Sequence, residues 1–328
     1  MVAAILLAAF LAAPPAPAAS PAEEPLGIAL ESYPYPYPVR FLPVTVEGQD
    51  LRFAFMDVPP EGPGNGKTVL LLHGKNFFGA YWGATAKALA AAGFRVVVPD
   101  QIGFGKSTKA DVHYSFEFLA ANTKRLLDAL AVTRVAVVGH SMGGMLAVRF
   151  ALMYPDATAA LVLENPIGLE DYREKVPYAS LDATCRTLLN PTKDGLARFY
   201  RSYFAEWRDD YGAFAELAWR QTLGGEWPRA AKASALTYDM IYSQPVVQDL
   251  PRLRVPTLLV IGQADRTTLG RGALSKEVLA TLGQYPELGK RAAKSIPGAK
   301  LVELEGVGHI PHLEAPDRFH AALLDFLR

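Results

Sequence analysis

A chain of 328 residues can hold one large α/β domain or two ordinary ones, and its 50% hydrophobic content is enough for a substantial core. The formal net charge is zero, so no basic field is present to attract nucleic acid or an acidic membrane surface. The single cysteine, Cys185, excludes an intramolecular disulfide and a cysteine metal cluster, and we predict that it is a small buried apolar residue.

The N-terminal residues predict an export signal. Val2 to Ala13 form an apolar run that is too short to span a membrane, and an Ala-Pro-Ala pattern from Ala16 to Ala18 suits signal cleavage. No lysine or arginine precedes the run, so an unstructured Ala/Pro tail is the alternative. We predict a signal peptide over residues 1–19 and a periplasmic or secreted protein without stable membrane insertion.

Residues 20–38 are predicted to form a linker. Its Tyr-Pro repeat, Tyr33 to Pro38, is typical of polyproline II laid on the surface or across the mouth of a site.

Short apolar runs then alternate with segments of helical spacing in two parts of the chain, 39–167 and 249–328. Strands are predicted at 39–47, 51–58, 68–72, 94–98, 135–138, 159–163, 257–261 and 299–304. Helices are predicted at 80–92, 115–130, 145–154, 270–293 with a break at 283–286, and 316–327. The pattern indicates an α/β core with a mostly parallel sheet covered on both faces, and the first two strands add an antiparallel edge.

Between these parts, residues 168–248 are rich in tyrosine, tryptophan, phenylalanine and charged residues and contain no strand-like run. We predict a helical lid of roughly four helices, whose aromatic residues more often form the lid core than contact a ligand.

The strand that begins at Val135 ends at the pentad Gly139-His-Ser-Met-Gly143, and a helical run follows. Strand, sharp turn and helix are the context in which a Gly-x-Ser-x-Gly pentad lifts its serine above the edge of a sheet. The pentad therefore predicts that Ser141 is a nucleophile.

A serine nucleophile needs a base, and the base needs an orienting carboxylate. His309, in a loop after the last strand, is the best base, and Asp265, at the end of the preceding strand, is the best acid. The open alternatives are His312 as base and Glu164 as acid. His140 is predicted to pack away from the serine, and His113 and His320 to lie on the surface.

The tetrahedral intermediate needs two backbone N–H donors. Met142, directly after the nucleophile, is predicted to supply one, and Lys75 in the loop after the first parallel strand to supply the other. We predict that the same loop, with His73, Gly74, Asn76 and Phe77, contacts the substrate, although a structural hydrogen bond is the expected role of the His73 ring. Phe78, Tyr81 and Trp82 are expected to complete an apolar pocket.

Two motifs suggest nucleotide binding but fail in detail. Gly105-Lys-Ser-Thr108 resembles the end of a P-loop, yet Asp100 stands where the first glycine is required, and Gly103 and Gly105 lack a third glycine at dinucleotide spacing. No motif suggests a metal, so we predict no cofactor and a small-molecule substrate.

These residues together resemble the α/β-hydrolase superfamily. The matching motifs are His73-Gly74, Pro99-Asp100 through Ser107, the pentad, Gly262-Gln-Ala-Asp265, and Gly306-Val-Gly-His309 with Glu314-Ala-Pro316. The resemblance implies an eight-stranded, mostly parallel sheet with a cap after the sixth strand, and a triad of Ser141, Asp265 and His309. Lys75-Asn76 departs from the pattern, because relatives often carry an aromatic residue, glycine or proline there.

The superfamily contains many activities. We expect a carboxylic ester hydrolase for a small or medium, partly apolar substrate. The alternatives are an aminopeptidase similar to proline iminopeptidase, with a lid carboxylate such as Glu206, Asp209, Asp210 or Glu216 for the substrate ammonium, and a ligand-binding protein with a vestigial triad. The oligomeric state is left open.

Overall fold

The computed structural model describes residues 24–328, so the predicted signal peptide lies outside the described residues. Eight strands form one sheet in the order β1-β2-β4-β3-β5-β6-β7-β8. The strands are β1 Val39–Val46, β2 Gln49–Val58, β3 Thr68–Leu72, β4 Arg95–Pro99, β5 Val135–His140, β6 Thr158–Glu164, β7 Thr257–Gly262 and β8 Lys300–Leu304. The pairings of β1 with β2 and of β2 with β4 are antiparallel, and the rest are parallel. This confirms the predicted sheet and its antiparallel edge.

Valine and leucine runs build the central strands because both faces of the sheet are covered. Every residue of β5 and β7 is buried, as is expected for a parallel sheet between helices. Two hydrophobic clusters lie on opposite faces, one around Leu70 and Val137 and the other around Leu71 and Val138. The alternation of neighbouring residues between the clusters follows from the two-residue period of a strand.

Seven helices accompany the strands of the core. They are α1 Gly83–Ala91, α2 Phe116–Ala129, α3 Met142–Met153, α8 Lys276–Leu279, α9 Tyr285–Ser295, α10 Pro311–Glu314 and α11 Pro316–Leu327. The Ser115 side chain accepts a hydrogen bond from the Phe118 N–H and caps α2, as its sequence position predicts. The predicted break at 283–286 separates α8 from α9, and Gly283 there has a φ of 62°.

Four helices lie between β6 and β7: α4 Leu181–Leu189, α5 Lys193–Arg201, α6 Gly212–Thr222 and α7 Trp227–Ser243. We call this segment the helical insertion. The prediction that Cys185 is buried was wrong: it is partly exposed on α4, a helix with no fully buried residue. Among the described residues, no helix is long and apolar enough to cross a membrane.

The segment before β1 runs from the helical insertion to the core. The Leu26 N–H donates to the Arg220 carbonyl in α6, and the Tyr35 hydroxyl donates to Asp100 at 2.6 Å. Asp100 also accepts the N–H groups of Gly79 and Lys106. The residue that rules out a P-loop is therefore a structural anchor for the Tyr-Pro repeat and two loops.

Candidate active site

The turn between β5 and α3 holds Ser141 in a strained conformation. Ser141 has a φ of 57° and a ψ of −120°, a region that residues other than glycine seldom adopt. A Cβ atom at Gly139 would lie 2.2 Å from the Gly143 carbonyl oxygen, and one at Gly143 would lie 2.2 Å from the Leu72 oxygen. Glycine is therefore required on both sides of the serine, for close approach of α3 to β5 and β3.

The loops after β7 and β8 bring Asp265 and His309 together. The His309 Nδ1 atom lies 2.7 Å from the Asp265 Oδ2 atom, and both side chains are buried. The carboxylate also accepts hydrogen bonds from the Asn165 side chain and the Thr267 N–H, each at 2.8 Å. Burial alone would raise the pKa of Asp265, but His309, Asn165 and the Thr267 N–H together hold that pKa below its ordinary value.

His140, the residue before Ser141, connects the serine turn to His309. The rings of His140 and His309 lie 4.8 Å apart, and the His140 Nε2 atom is 2.8 Å from the His309 carbonyl oxygen. Within residues 24–328, no hydrogen bond joins the Ser141 hydroxyl to the His309 ring. In serine enzymes such a bond often tightens only in the substrate complex.

The Tyr81 hydroxyl connects this arrangement to the loop after β3. It lies 2.9 Å from the His140 Nδ1 atom and accepts the Gly74 N–H at 2.9 Å. With the proton of His140 on Nε2, where it donates to the His309 carbonyl, Nδ1 accepts from the hydroxyl. The sequence predicted only that His140 packs away from the serine. In the structure it also links three loops of the site.

The two predicted oxyanion donors are the backbone N–H groups of Met142 and Lys75. Met142 is the first residue of α3, and the N–H groups of the first helical turn have no partner within the helix. In the loop after β3, a Cβ atom at Gly74 would lie 3.2 Å from the Ser141 Cβ, so the next residue, Lys75, begins beside the serine. Among the described residues, the Lys75 N–H has no hydrogen-bond acceptor.

The rival base and acid are bonded to each other instead. The His312 Nδ1 atom lies 2.9 Å from Glu164 Oε1, which also accepts the His312 N–H at 2.7 Å. Both side chains are buried, and the His312 ring stacks on Trp82. Glu164 and His312 thus form a separate buried pair, and among the described residues neither side chain is hydrogen-bonded to Ser141 or His309.

The two remaining histidines lie away from this centre. His113 is exposed, as predicted. The prediction for His320 was wrong, because this residue is half-buried and its Nε2 atom is 3.1 Å from the Thr85 hydroxyl.

The predicted substrate contacts need correction. The His73 ring is inaccessible, with Nδ1 bonded to the Gly74 carbonyl and Nε2 to the Gln101 N–H, so it is structural. Both backbone groups of Gly74 are also used within the protein. Phe77 stacks on Tyr81 with ring centroids 5.0 Å apart and is 3% exposed.

The prediction that Phe78 and Trp82 line an apolar pocket was wrong. Trp82 is completely buried, and Phe78 packs against Tyr33 and Tyr35 of the N-terminal segment. Asn76 remains partly exposed, with its side-chain NH₂ bonded to the Tyr203 hydroxyl at 2.7 Å. Of the predicted substrate residues, Asn76 alone keeps appreciable exposure.

Sequence reasoning missed two residues of the site, Asn165 and Tyr203, and gave Tyr81 a place in the pocket but not its hydrogen bonds to His140 and Gly74. Asn165 follows Glu164 at the carboxyl end of β6, the same signal that identified Asp265, and it could have been found. Tyr203 of the helical insertion stacks on His309 at 5.1 Å and accepts the His309 N–H through its carbonyl. Tyr81 and Tyr203 carry no motif that predicts these contacts.

A comparison with known proteins identifies the family of this chain. A model described as alpha/beta hydrolase family matches residues 69–322. A probable hydrolytic enzyme from Pseudomonas aeruginosa PAO1 has a crystal structure that superimposes with a TM-score of 0.91. It is 47% identical, and the match covers 94% of this chain and 99% of that one.

Two further relatives are more distant. A thermophilic esterase from Thermogutta terrifontis has a TM-score of 0.67 and 25% identity, over 88% of this chain and 98% of that one. A Synechocystis protein provisionally named a non-heme chloroperoxidase is 27% identical over 296 residues, 88% of this chain and 100% of its own length. The names of these relatives cover more than one chemistry, so the substrate has to be inferred from this chain's own residues.

Proposed function

The chain belongs to the alpha/beta hydrolase family, and from this we propose that it is a serine hydrolase that cleaves carboxylic esters of small or medium, partly apolar substrates. The observation that carries the proposal is the 2.7 Å hydrogen bond between Asp265 and His309, at the same sheet edge as the strained Ser141. The esterase among its relatives supports the choice of ester over other bonds.

The proposed reaction proceeds through an acyl-enzyme. His309 Nε2 takes the proton of the Ser141 hydroxyl as its oxygen attacks the ester carbonyl, and Asp265 holds the ring and stabilises the imidazolium. The N–H groups of Met142 and Lys75 stabilise the oxyanion. The tetrahedral intermediate expels the alcohol with the proton from His309. Water then attacks the acyl-enzyme in the same way and releases the acid and Ser141.

The aminopeptidase alternative has less support from the helical insertion. Glu206 and Asp209 are exposed, Asp210 pairs with Arg208, and Glu216 pairs with Lys193. These carboxylates are solvated or already neutralised, so none of the four is a favourable partner for a substrate ammonium.

The test combines a covalent probe with a substrate panel. We expect a fluorophosphonate to label Ser141 and 4-nitrophenyl esters to be hydrolysed, with Ser141→Ala about 10⁶-fold slower. Ser202→Ala, a change at an exposed serine of the helical insertion, is the matched control and should retain full activity. Turnover of prolyl-arylamides without any ester turnover would replace the esterase by the aminopeptidase. Absence of both labelling and turnover would favour a binding protein.

We also propose that the chain is exported, on the basis of its apolar N-terminal run. Cell fractionation of the full chain in a Gram-negative host, with the N-terminus of the recovered protein sequenced, tests this. Recovery of uncleaved protein in the cytoplasm would contradict it.

A further inference from the structure

Lys75, whose backbone N–H is a proposed oxyanion donor, carries an ammonium group that has no carboxylate partner among the described residues. Its Nζ atom donates to the Ser234 carbonyl oxygen at 2.9 Å and to the Ser234 hydroxyl at 2.7 Å. Burial lowers the pKa of Lys75 to about 7, and among the described residues no charged neighbour offsets this effect. An ammonium has three N–H donors, so one remains after the two bonds to Ser234.

The position of Lys75 suits contact with a substrate. Its backbone follows Gly74 beside Ser141, and its side chain reaches α7 of the helical insertion. The side chain therefore crosses from the core to the helical insertion at the catalytic edge of the sheet, where the substrate of an α/β protein binds.

A second buried lysine, Lys109, differs from Lys75 in its neighbours, although burial lowers its pKa to about 7 as well. The Lys109 ammonium donates to the carbonyl oxygens of Gly105 and Ser107, and the nearby carboxylates of Asp100 and Glu31 favour its charge. Within residues 24–328, Lys75 has no carboxylate neighbour of this kind. Since an isolated charge is expensive to remove from water, an uncompensated lysine that follows Gly74 in the loop beside the proposed nucleophile is a candidate for ligand recognition.

We propose that Lys75 binds a carboxylate group of the substrate, so that the preferred esters carry one negative charge apart from the bond that is cleaved. This inference rests on the proposed ester hydrolysis and names its substrate class. A single ammonium matches a singly charged carboxylate, whereas a phosphate dianion would leave one charge uncompensated. The ion pair forms where water is partly excluded, which strengthens it.

Two pairs of esters test the proposal on either side of the scissile bond. For the acyl side, the mono-4-nitrophenyl ester of adipic acid is compared with 4-nitrophenyl hexanoate, which has the same chain length. For the alcohol side, 4-acetoxybenzoate is compared with the neutral 4-acetoxybenzamide. We expect kcat/KM to favour the anion by about tenfold or more in at least one pair, through a lower KM.

The variant Lys75→Met should abolish this preference, so the measured quantity is the anion-to-neutral ratio of kcat/KM. The ratio is independent of any general effect on the oxyanion loop. Lys232→Met is the matched control, because Lys232 lies on α7 but is exposed and pairs with Asp111. It removes the same charge and should leave both the activity and the ratio unchanged.

Binding without turnover provides an independent measurement. Adipate should raise the Tm of the wild-type protein more than adipamide does, and Lys75→Met should lose the difference. If neutral esters are cleaved but neither pair shows a preference, or if the preference survives in Lys75→Met, the carboxylate site is wrong and ester hydrolysis stands. If no ester is cleaved, the proposed function fails, and the adipate comparison still decides for or against the carboxylate site.

Discussion

The Nε2 atom of His140 lies 2.8 Å from the carbonyl oxygen of His309, so the residue before the proposed nucleophile holds the backbone of the proposed base. Burial lowers the pKa of His140 well below its ordinary value, so its ring is neutral at physiological pH. A neutral ring can donate at Nε2 and accept at Nδ1 at the same time. This histidine is therefore a fixed connector and not a second base.

Tyr81→Phe should disturb the active site while it keeps the aromatic ring that fills the core. The change removes the hydroxyl that joins His140 to Gly74 and leaves two buried groups without a partner. We expect a loss of about 1–3 kcal/mol in the free energy of unfolding, measured by urea denaturation. We also expect a lower kcat with little change in KM for neutral 4-nitrophenyl esters, because the loops that carry the oxyanion donor and the base lose their connection.

Tyr114→Phe is the control for that variant. The Tyr114 hydroxyl is also buried and donates to the Ala110 carbonyl at 3.1 Å, but among the described contacts it takes no part in the site. It should reduce stability and leave kcat unchanged. A kcat that falls equally in both variants would show that the effect of Tyr81 is one of general stability.

The two buried histidine–carboxylate pairs should respond differently when the carboxylate is replaced by an amide. Asp265→Asn should lower kcat about 10⁴-fold, because the amide favours the wrong His309 tautomer. Glu164→Gln should lower the free energy of unfolding by about 1–3 kcal/mol, because a neutral amide replaces the carboxylate that accepts the buried His312 hydrogen bonds. Its kcat per folded molecule should stay within about tenfold of wild type if the pair acts only on stability. An exchange of these two results would make Glu164 the catalytic acid.

Glycine at position 141 should be more stable than alanine there. The φ of 57° with a ψ of −120° costs a residue with a Cβ about 1–3 kcal/mol, and glycine avoids most of that cost. Glycine also lowers the free energy of unfolding by about 0.5–1 kcal/mol, because it gives the unfolded chain more conformational entropy. We therefore expect Ser141→Gly to exceed Ser141→Ala by about 1 kcal/mol in denaturant unfolding, with both inactive. Equal stability would mean that the turn relaxes when the serine is replaced.

The buried ammonium of Lys75 should make stability depend on pH. Its pKa is about 7 in the folded protein against an ordinary value of 10.5, so between these values the unfolded chain binds more protons. The free energy of unfolding therefore rises as pH increases from 7 to 10.5. Below pH 7 the full cost of burying the charged Lys75 applies.

Urea unfolding of wild type and Lys75→Met at pH 6 and pH 9.5 measures this effect. The difference between the two proteins should shift in favour of wild type at the higher pH, whereas Lys232→Met should show no such shift. A constant difference for Lys75→Met would mean that Lys75 titrates like a solvated lysine.

The sequence predicted the sheet well because its strands are local patterns. The buried runs that begin at Val135 and Thr257 are continuous and stop at a glycine, so type and position follow from the run itself. The start of α3 was placed three residues late, at Met145 instead of Met142. Gly143 and Gly144 are poor helix formers, and the close packing of the turn against β3 overrides that preference.

The surroundings of the site were harder to predict because they depend on distant partners. Ser141, Asp265 and His309 were proposed from strand ends, a rule that needs only the order of elements, and the structure brings Asp265 and His309 into contact. The roles of Phe78 and Trp82 were wrong because an aromatic residue near a catalytic loop suits a pocket wall and a core equally well. Their partners, Tyr35 and His312, lie far away in the sequence.

The hydrogen bond between Leu26 and Arg220 has a consequence for the order of folding during synthesis. Domains fold from the N-terminus as the chain leaves the ribosome, and Tyr35 can dock on Asp100 early, but Leu26 has no hydrogen-bond partner until α6 has been made. The residues around Leu26 are thus among the last to reach their native place. Deletion of residues 24–38 should therefore leave the refolding rate of the core almost unchanged while lowering the stability of the finished protein.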